Sequence, residues 1–148
     1  MNKPLIFTMV LVFLGTIMLS AANAGDITIE MLNKRDDGQK MVYSADIARV
    51  DVGTTITWIP TSKGHNVEFI AGPDEWDMPK KSKNNKEVSI TFDVPGVYVY
   101  QCTPHATMGM IALVVVGDGD NDVSKAKVRG KSKSCLLYTS DAADDVNG

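Results

Sequence analysis

Histidine and cysteine are scarce in this chain: 148 residues contain two of each. A centre that needs three or more histidines is therefore excluded, and so is a disulfide-rich scaffold. Excess positive charge is also missing. Lys and Arg total 15 against 18 Asp and Glu, a formal net charge of −3. A nucleic-acid binder needs a basic surface to meet the phosphate backbone, so that class is disfavoured. No stretch alternates strand and helix patterns in the manner of a parallel βαβ unit, and no internal repeat stands out. What remains is ordinary for one globular domain: 44% hydrophobic and 22% charged residues, enough to bury a core.

Only the N-terminus carries a long charge-free apolar run, Leu5 to Leu19. It follows a short positive start, Asn2-Lys3, and precedes the small-x-small triplet Ala22-Asn23-Ala24. The run is about 15 residues long, whereas a spanning helix needs about 20. Residues 1–24 thus read as a secretory signal peptide rather than a membrane anchor. Export to the periplasm or its equivalent, an oxidising compartment, is the expectation, with no membrane attachment after cleavage.

From Gly25 onward short alternating segments recur. Asp26 to Met31, Thr54 to Ile59, Asn66 to Ile70 and Glu87 to Phe92 alternate polar and apolar residues, as half-buried strands do. Met41 to Tyr43, Ile47 to Val50, Val97 to Gln101 and Met110 to Val116 are further strand candidates, separated by turn signals such as Val52-Gly53 and Pro95-Gly96. Residues 71–85 form a longer polar connection in which Pro73 and Pro79 argue against a long helix. About eight short strands with turn signals every 8–12 residues predict an all-β sandwich or barrel over residues 25–117. Residues 118–133 are polar, with only Val123 and Val128 interrupting. Residues 134–148 have no pattern linking them to the domain and resemble translated adapter or vector sequence. They are expected to be foreign, with a native disordered tail as the alternative.

The chemistry is concentrated in Cys102-Thr103-Pro104-His105-Ala106-Thr107-Met108-Gly109-Met110. One thiol, one imidazole and two thioethers fall in a nine-residue run between two predicted strands, and His65 stands upstream beside a third. Each signal has a bland reading. A lone cysteine is most often a small buried hydrophobe, methionine is usually core filler, and a histidine after Gly64 in a turn is unremarkable. Cys102 could also pair with Cys135, but Cys135 lies in the doubtful tail. Jointly, C-x₂-H-x₄-M plus an upstream histidine matches a His₂Cys trigonal set with a weak axial methionine, the blue-copper arrangement. Pro104 and the short spacing restrict the loop, so its ligands can converge with little ordering cost. Both histidines of the chain are consumed by this one site.

These residues carry a family resemblance. Met31-Leu32-Asn33-Lys34, Gly64-His65-Asn66-Val67-Glu68, Cys102-Thr103-Pro104-His105 and Met108-Gly109-Met110-Ile111-Ala112-Leu113, ending at Val116-Gly117-Asp118, resemble the pseudoazurins within the plastocyanin-like cupredoxins. The likeness covers roughly residues 26–127. It implies a Greek-key β-sandwich holding one type 1 copper ion, with His65, Cys102, His105 and Met110 as ligands. Related cupredoxins place the axial methionine at either spacing from the loop histidine, and the Met-Gly-Met-Ile wording favours Met110 over Met108. Asn66, flanking the first ligand, is implied to hold the ligand loops together, with Thr103 and Pro104 supporting from the other side. Family members usually end in two helices packed on the sandwich. Here Val123 to Val128 stands where they would begin, and the rest is truncated or replaced.

The resemblance also implies function: a monomeric electron carrier cycling Cu(II) and Cu(I), not an enzyme. Its partners would be redox proteins such as a cytochrome or a copper nitrite reductase. Lys80, Lys81, Lys83 and Lys86 cluster in an otherwise acidic chain, and Lys63 lies just before His65. The plain reading is a solvated loop. The family reading is that Lys63, Lys80, Lys81 and Lys83 ring an apolar patch containing Met108 and steer acidic partners. Gln101 stands where many relatives carry lysine, which weakens such a ring. Two rival functions remain. A fragment of a copper oxidase or nitrite reductase would need further histidines, and a periplasmic copper chaperone would favour exposed Met- or Cys-rich sites.

Overall fold

Thr54–Ile59 shows how alternation in sequence becomes a layer in space. Thr54, Ile56 and Trp58 are buried, while Thr55, Thr57 and Ile59 are only partly covered. Successive side chains on a strand point to opposite faces, so one face meets the core and the other meets water. The structure, a computed structural model, describes residues 25–123 together with Ala126 and Val128. The expected signal peptide and the segment 134–148 lie outside the described residues.

Eight strands form: β1 (Ile27–Lys34), β2 (Lys40–Tyr43), β3 (Ile47–Val50), β4 (Thr54–Ile59), β5 (Glu68–Ala71), β6 (Val88–Phe92), β7 (Gly96–Gln101) and β8 (Ile111–Val116). They make two four-stranded sheets, ordered β2-β1-β4-β6 and β3-β8-β7-β5. Within each sheet one pair is parallel, β1 with β4 and β3 with β8, and the others are antiparallel. The expected all-β sandwich is therefore the fold. Among the described residues no helix is long and apolar enough to cross a membrane.

Aromatic rings fill the space between the sheets. Trp58 packs edge-on against Phe69, Phe92 and Tyr100, and Tyr43 meets Tyr100 at 4.7 Å between centroids. Trp58, Tyr43, Tyr98, Tyr100 and Phe92 are fully buried. Edge-to-face pairs of this kind add to the stabilisation from area burial alone. Burial pushes the Tyr98 hydroxyl up to about 12 and raises those of Tyr43 and Tyr100 as well.

β8 breaks the alternation: all six of its residues are buried. Ala112, Val114 and Val116 face the central core, whereas Ile111 and Leu113 join Val99 and Val123 on the outer face of the second sheet. Ala126 and Val128 also pack there. A strand covered on both faces reads as a continuous apolar run. The start of a C-terminal helix expected at Val123 to Val128 does not form at the described positions. Val123, Ala126 and Val128 are in no helix, and instead place apolar side chains on the sheet.

Two local departures matter for the site. The strand expected from Asn66 begins only at Glu68, because the Val67 N–H donates to Ser82 Oγ (2.9 Å) and the Val67 carbonyl accepts from the Ser82 N–H (2.9 Å). Val67 is thus bonded to the long connection and not to a strand ladder. The run expected as plain loop after Cys102 contains a short 3₁₀ helix, Thr103–Met108, with Pro104 in its first turn. Proline suits that position, where its missing N–H costs nothing.

Candidate metal centre

β7 ends at Gln101 and β8 starts at Ile111, and these two residues are register partners. The nine residues between them must return on themselves. They do so through bonds within the loop: the Cys102 N–H donates to the Met110 carbonyl (3.0 Å), His105 N–H to Cys102 carbonyl (3.0 Å), and Met110 N–H to His105 carbonyl (3.2 Å). Gly109 closes the helix at φ +97°, a left-handed conformation that glycine adopts without a Cβ clash. The three candidate ligands of this loop are therefore cross-linked by their own main chain.

His65 arrives from a different direction. β5 pairs with β7 so that Glu68 lies opposite Gln101. The residues just before Glu68 consequently run past Cys102, and the His65 ring comes alongside its sulfur. Cys102 Sγ stands 3.6 Å from His65 Nδ1 and 3.4 Å from His105 Nδ1. The three ligand atoms all lie within 4.8 Å of one another. The two rings are 4.8 Å apart between centroids. Cys102 and His65 are fully buried, and His105 is half-buried.

Met110 is fully buried and belongs to the same apolar cluster as Cys102. Met108, its alternative in the sequence, is 53% exposed. That contrast separates two methionines that spacing alone leaves open: Met110 is enclosed with the thiol, and Met108 is on the surface beside His105.

Burial lowers the His65 pKa, and the nearby His105 lowers it further, which favours the neutral ring, the form with a nitrogen lone pair to ligate. Its Nε2 is 2.9 Å from Asn33 Oδ1. An amide oxygen can only accept, so Nε2 carries the proton and Nδ1 presents its lone pair toward the thiol. Burial raises the Cys102 pKa, and bonding around Asn66 and His105 opposes that shift. One thiol, two imidazoles and a buried thioether around one point form a donor set that fits copper better than hard cations. His65, Cys102, His105 and Met110 are arranged as a type 1 copper site.

Asn66 links the two arms of the site. Its Oδ1 accepts from the Thr103 N–H (2.8 Å), and its Nδ2 donates to Thr103 Oγ1 (3.1 Å) and to the Ser82 carbonyl (3.3 Å). Thr103 Oγ1 and Gln101 Nε2 both donate to Glu68 Oε2, each at 3.0 Å. Gln101 is thus turned inward at 7% exposure and adds nothing to a surface ring. Pro104 is exposed at the start of the helix. Lys63, Lys80, Lys81 and Lys83 are all exposed. The long connection that carries the last three is bonded to the His65 segment through Ser82 and Asn85.

Asn33, Glu68, Ser82 and Asn85 are bonded at the site and escaped the sequence reading. Asn33 and Glu68 stood within the stretches that carry the family resemblance, but nothing in spacing or periodicity joins Asn33 to a histidine 32 positions away.

Comparison with known proteins agrees with this geometry. The family of copper binding proteins, plastocyanin/azurin family, matches residues 29–117. The chain is 43% identical to a pseudoazurin of Methylorubrum extorquens over 108 residues, covering 72% of each protein. It is 41% identical to a pseudoazurin of Paracoccus pantotrophus over 100 residues, covering 67% of this chain and 68% of the relative. A solved Sinorhizobium pseudoazurin superposes with a TM-score of 0.74 at 39% identity, covering 78% of this chain and 93% of that one. The chain belongs to the pseudoazurins, within the plastocyanin/azurin family of copper-binding proteins.

Proposed function

We propose that this protein carries single electrons between redox proteins in the periplasm, with one copper ion held by His65, Cys102, His105 and Met110. When bound, copper supplies a one-electron couple between its Cu(I) and Cu(II) states. Everything else is done by the chain. The main-chain bonds among Cys102, His105 and Met110 hold three donors in one place whatever the charge at the centre. Asn33 fixes the His65 tautomer, and Asn66 with Thr103 keeps the two ligand segments together. Donors that do not move between charge states suit electron transfer, because little must rearrange. The observation that carries the reading is the convergence of one thiol and two imidazole nitrogens within 4.8 Å, with only His105 reaching the surface.

His105 is the proposed exit. It is half-exposed beside Pro104 and Met108, which can offer a partner a dry contact. Lys63, Lys80, Lys81 and Lys83 are proposed to steer acidic partners, of cytochrome or copper nitrite reductase type, toward that patch. The domain reading completes the proposal: export removes residues 1–24, residues 25–117 are the carrier, residues 118–133 are the remnant of a C-terminal extension, and residues 134–148 are foreign. Mass measurement of periplasmic protein should give a chain starting at Gly25, and a start at Met1 would sink the export reading.

The deciding experiment is visible absorption of the copper-loaded protein before and after Cys102→Ser. The thiolate provides the intense charge-transfer band, and a serine hydroxyl cannot replace it. Oxidised protein should be strongly coloured and the variant colourless. A coloured Cys102→Ser protein would end the assignment. The second reading, a periplasmic copper-handling module, rests on the exposed thioether of Met108. It would require copper to pass readily to an acceptor chelator, and Met108→Leu to slow that passage.

A further inference from the structure

Gly64 and His65 sit in no strand, so their main-chain groups need partners from elsewhere. Gly64 has φ +96°, a left-handed conformation that glycine tolerates. That N–H donates to Asn85 Oδ1 at 2.6 Å. The next carbonyl but one, that of His65, accepts from the Asn85 N–H at 2.9 Å. One residue therefore holds the peptide entering Gly64 and the peptide leaving His65. Asn85 does this from φ +60°, the left-handed region that asparagine enters more readily than most residues. In that conformation its amide N–H and its side-chain oxygen address the same short segment.

The consequence lies at the ring. Asn33 fixes the far tip of the imidazole, at Nε2. Asn85 fixes the main chain on both sides of the Cα that bears the ring. His65 is thus held at both ends, whereas nothing in the 64–67 segment pairs with a strand. Three residues earlier, Ser82 makes a matching pair of bonds to Val67.

We propose that Asn85 is a positioning residue for His65: by bracketing Gly64-His65 it holds Nδ1 in place for the metal. The proposal rests on the copper reading given above. The competing view is that asparagine stands here only because the turn needs a left-handed residue. Glycine meets that need at least as well, so Asn85→Gly keeps the turn and the main-chain bond and removes only the side-chain acceptor. Asn85→Asp keeps the acceptor.

The test compares copper affinity, by chelator competition, with the stability of the copper-free and copper-loaded proteins. Measurements are made at high salt, so that the charge added by aspartate is screened. Asn85→Gly should weaken copper binding by about tenfold, the lower end of what residues that orient ligands contribute. It should also destabilise the loaded form more than the copper-free form, and speed exchange of the Gly64 amide in the copper-free protein. Asn85→Asp should restore all three. Equal losses in both forms, with affinity unchanged, would overturn the proposal, as would an aspartate variant no better than glycine. The unaltered protein is measured in the same series: if it fails to turn blue, the copper reading has failed, and the amide exchange still reports on the clamp.

Discussion

His65 and His105 offer the same atom to the same sulfur, yet they are built in opposite ways. His105 lies in a loop that is complete in itself. Its position follows from Pro104, Gly109 and three main-chain bonds, all within nine residues. His65 is assembled from four separate stretches: Asn33 after β1's midpoint, Asn66 beside it, Ser82 and Asn85 in the long connection, and Thr103 across the site. One is buried with its second nitrogen occupied. The other is half-exposed, and among the described residues no hydrogen bond to its Nε2 is found. A locally encoded ligand can face outward because its own loop holds it. A ligand held by distant side chains must be enclosed by them. The division suits a carrier that needs one firm ligand and one that can touch a partner.

The sharpest way to break this contrast is to remove each ring in turn. His65→Gly and His105→Gly should both abolish the intense visible band. Free imidazole should then restore colour to His105→Gly, because the missing ring leaves a gap that opens to solvent. The same imidazole should fail with His65→Gly, whose gap is enclosed by Asn33, Asn66 and the core. Absorption titration with imidazole reads both. Restoration of both variants, or of neither, would mean that the two ligands are not divided into an inner and an outer one.

A smaller effect should follow from Asn33→Leu. The substitution keeps comparable bulk but removes the oxygen that accepts from His65 Nε2. The buried N–H is then left unpaired, and the other tautomer, with the proton on Nδ1, becomes more populated. That tautomer cannot ligate through Nδ1. Groups that orient metal-bound histidines in this way typically contribute roughly 10–100-fold in affinity. Chelator competition should show a loss in that range. An unchanged affinity would show that burial alone fixes the His65 ring.

The same division explains what could be read from the sequence. The His105 arm was legible because its information is contiguous: cysteine, proline, histidine and methionine at fixed spacing between two apolar runs. The sandwich was legible because period-two alternation persists in β1, β4 and β6, and the family wording covered the rest. Strand ends were less so. β5 starts late because Val67 is bonded to Ser82, a partner 15 residues away that no local pattern announces. The choice of Met110 over Met108 rested on resemblance until burial separated them. Asn33 and Asn85 were invisible for the same reason as Ser82: each acts through hydrogen bonds to residues far away in sequence, and an asparagine in a strand or a turn looks the same whether or not it holds a ligand. The 3₁₀ helix after Cys102 was hidden because it is too short to show a period.

The smallest expected effect concerns approach rather than the site, and it tests whether the two arms share the work of docking. Lys80, Lys81 and Lys83 are exposed on the connection that is bonded to the His65 arm, while the proposed exit is the His105 ring. If charge on one arm guides a partner to the other, Lys80→Glu with Lys81→Glu should slow the bimolecular reaction with an acidic redox partner by about tenfold at low salt, the modest end of electrostatic steering. The difference should shrink as salt rises, because exposed charges are screened beyond about 8 Å at physiological ionic strength. The absorption spectrum should not change, since neither lysine bonds to a residue of the site. Met108→Gln should do the reverse, making the dry contact beside His105 more polar and slowing the reaction by a factor that salt leaves alone. Stopped-flow reduction across a salt series separates the two. Rates indifferent to the glutamate substitutions but sensitive at Met108 would leave docking to the His105 arm alone, with the lysines a solvated loop. Rates sensitive to charge and indifferent at Met108 would move the exit away from His105 and undo the contrast between an inner and an outer histidine.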